Sequence, residues 1–475
     1  MQMQFSWRTI TPGNIPLASH HRVIRTSRIL NVFPSFQILT FFNLIPRHET
    51  VENGTFCQRF HRISIWRVVT TFTIFTFLAL LLLHDIIYFF MDKAFWTSYM
   101  QSDNRIVTLL VSVRYILIFI KNCTAVFVFA LKSRNMSIYL TRMNALVAKL
   151  RITRRQEKVN RILFVILYLI PFLLIGLRVF ISAIVIAKSS YAYRTVPFGL
   201  LQAPVWARYT FYFFAEFLGG VLSFAVYIQI SAFARVLWLF CRIFNKQIIA
   251  LREKLSHDNT KKGHQINRVQ FLNDVLKIRC LHEDIIEACS DHEQLFSFQI
   301  LLGILTNACI VFSTLASFFT PSLSTEACCV YVLSILGFLY IMFLLPLFPI
   351  QLNEESGCTL EFLQTLAHKR HMMRAEQLSS TSHNPSDAVD NMEIISLAAF
   401  LQRAYTKPLT ISAGGFMDLT RSFVISVGAV IIGFTIFLME RVESQVDLST
   451  GTGTLCHNSS RPFMRVIREI RPVII

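Results

Sequence analysis

Acidic residues are scarce in this chain. Of its 475 residues, 28 are Asp or Glu against 46 Lys or Arg, for a formal net charge of +18. All four charged types together make up only 16%. Glycine and proline are also few, at 16 and 14, which excludes collagen-like and low-complexity classes. The ten cysteines contain no Cys-x-x-Cys pair, so neither a zinc ribbon nor a thioredoxin-like motif is present. Their apolar settings read as unpaired thiols packed in helices, without a disulfide framework. No nucleophile triad, Walker loop or glycine-rich dinucleotide pattern occurs. The chain therefore does not read as an enzyme, and no cofactor is expected. His368 and His371 are one helical turn apart, but Lys369 and Arg370 lie between them. No third ligand is near in sequence, so they read as solvated histidines, not a metal site. The N-terminus lacks a short apolar run with a cleavage site, and no signal peptide is expected.

What is present is apolar bulk. Hydrophobic residues make up 53% of the chain and include 44 Phe. Seven stretches approach or exceed the roughly 20 apolar residues that a helix needs to cross a bilayer. They cover 68–90, 106–131, 162–187, 209–239, 298–319, 328–350 and 423–439. Thirty-two of the 46 Lys and Arg fall in the segment before the first stretch and in the second, fourth and sixth connections. Ten fall in the other connections and the tail. Basic connections stay in the cytoplasm. The expected fold is an all-α membrane protein of seven transmembrane helices with the N-terminus inside and the C-terminus outside. That is the reverse of a G-protein-coupled receptor. Anionic lipid of the inner leaflet is the expected partner of the basic loops, and nucleic acid is not.

The expected organisation follows. Residues 1–67 form a cytosolic segment, with an amphipathic helix over 29–46 lying on the inner face in preference to an eighth span. Four transmembrane helices occupy 68–239. A cytosolic helical loop fills 240–297, where Ile278, Leu281, Ile285, Cys289 and Leu295 recur near helical spacing. Two further spans occupy 298–350. Residues 351–422 hold cytosolic anchor helices around a polar linker at 378–391. The last span is 423–439, and 440–475 is a polar external tail. Leu281 and Ile285 lie on an apolar stripe that needs a partner in water, and they are the candidate assembly residues. Of the Asn-x-Ser/Thr sites at Asn53, Asn122, Asn135 and Asn458, only Asn458 is expected outside and open to glycosylation.

Charges inside spans cost roughly 2.5–3.5 kcal/mol each at the bilayer centre. His84 and Asp85, Arg114, Arg178, Tyr212 and Glu216 fall at similar depth in the outer halves of the first four spans. They are the candidate lining of one outward-facing ligand pocket, the plain alternative being ion pairs that lock helices together. Lys121 and Arg235, nearer the inner side, read as snorkelling side chains.

The stretch 400–441, FLQRAYTKPLTISAGGFMDLTRSFVISVGAVIIGFTIFLMER, resembles the signature region of the insect and nematode gustatory receptor family, the wider group that includes insect odorant receptors. ISAGGFMDL at 411–419 resembles the family's Phe-x-Ala-x-Gly-Phe-Phe-x-Leu element, with Ile411 and Met417 replacing two Phe. GFTIFLMER at 433–441 stands where members carry Thr-Tyr, five apolar residues and Gln-Phe. The resemblance implies a stimulus-gated, non-selective cation channel in the plasma membrane of sensory neurons. It implies a small-molecule stimulus and assembly as a homotetramer or with related subunits. The last helices would line the pore, with Phe434, Phe437 and Leu438 in the outer half and Glu440 at its mouth. A ring of carboxylates favours cations. Light sensing and modulation of excitability occur among relatives. A receptor signalling through a G protein and a transporter are the competing readings. Neither Asp-Arg-Tyr after the third span nor Asn-Pro-x-x-Tyr in the last is present.

Overall fold

The computed structural model describes residues 39, 65–91, 93–101, 105–150, 154–188, 205–260, 268–318, 325–380 and 387–450. Among them the helices, in chain order, are α1 (Ile65–Met91), α2 (Lys93–Gln101), α3 (Arg105–Leu131), α4 (Ser133–Leu150), α5 (Arg154–Lys188), α6 (Val205–Thr260), α7 (Arg268–Ser317), α8 (Thr325–Ser380), α9 (Asp387–Thr406) and α10 (Arg421–Thr450). Strands β1 (Ser412–Ala413) and β2 (Met417–Asp418) form a small antiparallel hairpin between α9 and α10. The expected helix over 29–46 lies outside the described residues apart from Leu39, which is fully buried in the main core.

Helices α1, α3, α5, α6, α7, α8 and α10 fall on the seven expected spans. Six are long and apolar enough to cross a membrane. Within α3, Ile116–Val128 is an apolar stretch that carries Lys121, with Arg114 just before it. The chain is a multi-pass helical membrane protein.

The amphipathic stretch within 268–297 runs into the fifth span as one helix, α7, and α6 and α8 likewise run on past the fourth and sixth spans. α6, α7 and α8 have 56, 50 and 56 residues. At 1.5 Å per residue each runs about 75–85 Å, more than twice the roughly 30 Å of hydrocarbon. The excess of α7 is the charged stretch 268–297, too rich in acid and base to lie in lipid. α4 lies along it. Arg142 pairs with Asp291 and, at 3.3 Å, with Glu287, and Lys149 pairs with Asp284. The second connection thus neutralises an acidic row on α7. Each such exposed pair adds about 0–1 kcal/mol.

α6 is the central helix, packed by α3, α5, α7 and α8. Positions 221–234 are buried on every side, so no amphipathic period shows there. α10 is the opposite case. Only 6% of its apolar window is buried, and its packed side rests mainly on α7.

Proline shapes the bundle at two places. Pro171 lies inside α5 and has no N–H for the Leu167 carbonyl one turn back. Tyr340 of α8 donates its hydroxyl to that carbonyl at 2.8 Å. A backbone group that would stand unsatisfied in lipid thereby becomes a cross-link between α5 and α8. Pro346 and Pro349 similarly interrupt the hydrogen-bond ladder of α8 near its middle.

Candidate functional site

One half of the bundle gathers cations onto the aromatic face of α8. Arg114 of α3 is buried, donates to Ser317 Oγ at 3.2 Å, and lies 4.5 Å from the centre of the Tyr331 ring. Lys121 stands two turns further along α3. It is 1% exposed, with its ammonium 4.7 Å from the Phe224 ring and 4.5 Å from the Phe338 ring. Arg178 of α5 approaches the same Phe338 ring at 5.8 Å. A desolvated cation–π contact contributes about 2 kcal/mol. Two rings on one ammonium therefore roughly offset the cost of placing Lys121 in the membrane. Lys121 does not snorkel, contrary to the expectation. Its seven-residue spacing from Arg114 puts both on one face of α3, and that spacing was the legible clue. Arg235 fits its expected place better. It covers the Trp238 ring at 3.8 Å and donates to Gln351 Oε1 at 3.0 Å.

Arg114 and Arg178 therefore rest on different rings of α8, Tyr331 and Phe338, about two turns apart. His84 is half-buried on α1. Asp85, Tyr212 and Glu216 occupy positions on α1 and α6, but their side chains lie outside the described residues. Asn122, next to Lys121, is buried against Leu78 and Gly219 and has a carbonyl oxygen with no hydrogen bond. Its buried position is incompatible with a glycan. Asn458 is outside the described residues. His368 and His371 are both exposed, and no cluster of metal-binding side chains occurs among the described residues.

The four expected pore residues divide. Leu438 is 1% exposed and Phe434 packs on Phe312 of α7 at 4.7 Å, so both face the chain's own bundle. Phe437 and Glu440 are exposed. The uncovered face of α10 also carries Ser422, Ser426, Ala429 and Gly433. At 3.6 residues per turn, these four and Glu440 stand in one line. Large apolar residues flank that line at Ile425, Val430, Ile432, Ile436 and Phe437. Small and hydroxyl-bearing residues in line down an otherwise apolar helix were readable in the sequence. The phase of α10 against α7 was not.

The assembly residues are also corrected. Leu281 and Ile285 are 9% and 0% exposed, inside the main core of the same chain. α9 folds back onto α7, and both residues are covered within the chain itself. The docking is pinned by Arg403, whose guanidinium holds the Glu283 carboxylate in a forked pair at 2.9–3.3 Å. Those bonds hold the Glu283 carboxyl below its ordinary range. His282 lies between the Phe244 and Phe400 rings, and burial lowers its pKa to about 4. Among the described side chains of α9, the large apolar ones that stay exposed are Met392, Ile395 and Tyr405.

Between α9 and α10 the resemblance segment forms an ordered bridge. Gly414 and Gly415 take φ of 68° and 79°, a region that side chains disfavour, and so close the β1–β2 turn. Gly414 N–H donates to the Ser297 carbonyl of α7 at 2.8 Å, and Ser412 Oγ bonds Glu293. Leu409 N–H donates to Ser356 Oγ at 2.9 Å and Ile411 N–H to Asn353 Oδ1 at 2.9 Å, both on α8.

No family model matches the chain, and no curated protein does. Two solved structures of the insect olfactory receptor OR5 from Machilis hrabei do, one of them in complex with eugenol. The complex is 15% identical, with a TM-score of 0.55, over 88% of this chain and 97% of the receptor. The second structure gives the same identity and coverage with a TM-score of 0.54. The chain has the fold of an insect olfactory receptor.

Proposed function

We propose that the chain is a chemoreceptor of the gustatory and odorant receptor family, acting as a ligand-gated, non-selective cation channel in the plasma membrane. The observation that carries this reading is α10. It is an apolar helix with one packed face and one uncovered face, and the uncovered face bears a line of small and hydroxyl side chains ending at Glu440. A lone helix in lipid has no need of such a line. Several copies around an axis would turn it into a narrow, partly polar passage between apolar flanks. Four copies, or this chain with related subunits, would put a ring of carboxylates at one mouth. The similarity to a receptor solved with eugenol supports a small-molecule stimulus. The cation and aromatic cluster of Arg114, Lys121, Arg178, Tyr331 and Phe338 is the proposed ligand pocket. Met392, Ile395 and Tyr405 of α9 replace Leu281 and Ile285 as proposed assembly residues.

The topology belongs to the same proposal. The basic connections hold the N-terminus inside, seven helices cross, and Asn458 lies outside. Glycan attached at Asn458 and none at Asn53 supports that orientation, and the converse overturns it.

The test is current through the purified full chain in planar bilayers with mixed sodium and potassium salts. The reading requires cation-selective openings, with conductance or selectivity reduced in Glu440→Lys. Protein that is folded and oligomeric but electrically silent to a broad panel of small molecules would defeat it.

A further inference from the structure

Asn353 of α8 makes three hydrogen bonds with one amide. Its Oδ1 accepts Ile411 N–H at 2.9 Å, and its Nδ2 donates to the Ile411 carbonyl at 3.2 Å and to the Leu419 carbonyl at 3.1 Å. Toward Ile411 the side chain imitates a neighbouring strand, pairing both the N–H and the C=O of one residue. Toward Leu419 it reaches the other end of the β1–β2 hairpin. One side chain thus closes the bridge at both ends.

The far end is also where α10 begins. Thr420 caps that helix, its Oγ1 accepting Phe423 N–H at 3.2 Å. Arg421 then pairs with Glu354, the residue after Asn353, at 2.8 Å. The two sides of the α10 cap are therefore tied to two consecutive residues of α8, Leu419 through its backbone carbonyl and Arg421 through an exposed side-chain ion pair. The other end of α8 carries Tyr331 and Phe338, the rings that receive Arg114, Lys121 and Arg178. From Tyr331 to Asn353 is about 33 Å along α8 at 1.5 Å per residue, through the turns where Pro346 and Pro349 interrupt its ladder.

We propose that Asn353 is the positioning residue through which α8 sets the start of α10, so that a shift of α8 at its aromatic end is delivered to the first turn of the proposed pore helix. Only a neutral amide suits this place. It supplies one acceptor and two donors in a plane. A carboxylate supplies no donor and repels two carbonyl oxygens. A packed chain of this kind counts as coupling only if disturbing one end moves the other. The conductance part of the proposal rests on the channel reading, and the backbone part does not.

The experiment uses the full chain in lipid nanodiscs, comparing wild type, Asn353→Leu, which removes the acceptor and both donors at similar volume, and Asn353→Gln. Hydrogen exchange is followed at Ile411, as a control on the broken bond, and at Phe423 and Val424, the first-turn residues of α10 whose N–H groups bond Thr420. Unstimulated sodium and potassium conductance is recorded on the same preparations in planar bilayers. Asn353→Leu is expected to speed exchange at Ile411 and also at 423–424, each by roughly tenfold, the size of one or two net hydrogen bonds. It is also expected to change unstimulated open probability without changing ion selectivity. Asn353→Gln keeps all three hydrogen-bonding functions one methylene further out and should recover part of both effects. Faster exchange at Ile411 with 423–424 unchanged overturns the proposal, as does unaltered gating in a conducting protein. A wild type that conducts nothing defeats the channel reading alone, and exchange at 423–424 still decides the coupling. If Asn353→Leu does not fold, Asn353→Ser, which cannot bridge Ile411 and Leu419 together, is read by the same criteria.

Discussion

Gly303 and Gly337 allow one chemical change to be made twice, with opposite signs expected. Both lie inside helices, in α7 and α8. A Cβ added at Gly303 would stand 2.8 Å from Leu345 Cδ1 and 2.8 Å from Tyr227 Cε1. Leu345 and Tyr227 are 0% and 1% exposed, so neither can swing aside. A Cβ at Gly337 meets only Phe224 Cζ at 3.9 Å, an ordinary contact. Replacing helical Gly by Ala gains about 1 kcal/mol of helix propensity at either site. Overpacking a closed core costs about 1–3 kcal/mol, so Gly303→Ala should lose up to about 2 kcal/mol net, whereas Gly337→Ala should be neutral or gain up to about 1. Gly303 also accepts hydrogen bonds from Asn307 Nδ2 at 2.6 Å and Thr306 Oγ1 at 3.4 Å. A shift there disturbs a polar group next to the Tyr227 ring as well. The assay is the loss of the monodisperse peak in detergent after stepwise heating, with the two variants and wild type run together. The expected order of melting is Gly337→Ala at or above wild type, with Gly303→Ala several degrees below. A Gly303→Ala protein as heat-resistant as Gly337→Ala would refute the packing of α6, α7 and α8 described above.

Acid should loosen the docking of α9. The neutral His282 ring is favoured in the folded chain, so stability falls as pH drops from the ordinary 6.5 through its folded value near 4, by up to about 3 kcal/mol for a shift of that size. The Glu283 carboxyl, held low by Arg403, adds its loss only below about pH 4.5. Protease sensitivity of the 378–391 segment against pH reads this, and His282→Phe should flatten the curve between pH 6.5 and 4.5; an unchanged curve counts against the buried imidazole. Leu281→Asp should give unfolded protein, not folded monomers, because its partners are in its own chain. Ile395→Asp should instead give folded monomers on native gels, and intact oligomers from it would remove α9 from the assembly interface. Lys121→Met should alter the concentration of stimulus needed for half-maximal current more than it alters surface expression; the reverse pattern would make the cation cluster a structural lock.

Much of the fold was legible because the membrane enforces simple rules. Lipid offers no partner for backbone groups, so apolar stretches of sufficient length must be helices. Phase was not legible. Leu438 and Phe437 are adjacent apolar residues in one sequence run, yet one is buried and the other exposed. Nothing within α10 alone shows which side α7 will take. The stripe at Leu281 and Ile285 needs a cover in water, and a sequence does not show that the cover lies in the same chain. Lys121 was misjudged because depth was inferred from its distance to the span end. Its ammonium is held by Phe224 and Phe338, rings that are remote in sequence. Arg403 with Glu283 and Asn353 with Ile411 and Leu419 are likewise pairings between distant segments, for which local spacing carries no signal.

The central claim is that the uncovered line of α10 borders an ion path. Cysteines placed singly at Ser426, Ala429 and Gly433, and for comparison at Val424 and Ile431 on the packed side, test it directly when a charged, water-soluble thiol reagent is applied to the conducting full chain. The native cysteines described are outside α10, and their response in the unsubstituted chain sets the baseline. The account predicts that current is blocked or altered at Ser426→Cys, Ala429→Cys and Gly433→Cys and stays at baseline at Val424→Cys and Ile431→Cys. Modification that follows the packed side, or that leaves current untouched along the whole uncovered line, would contradict it.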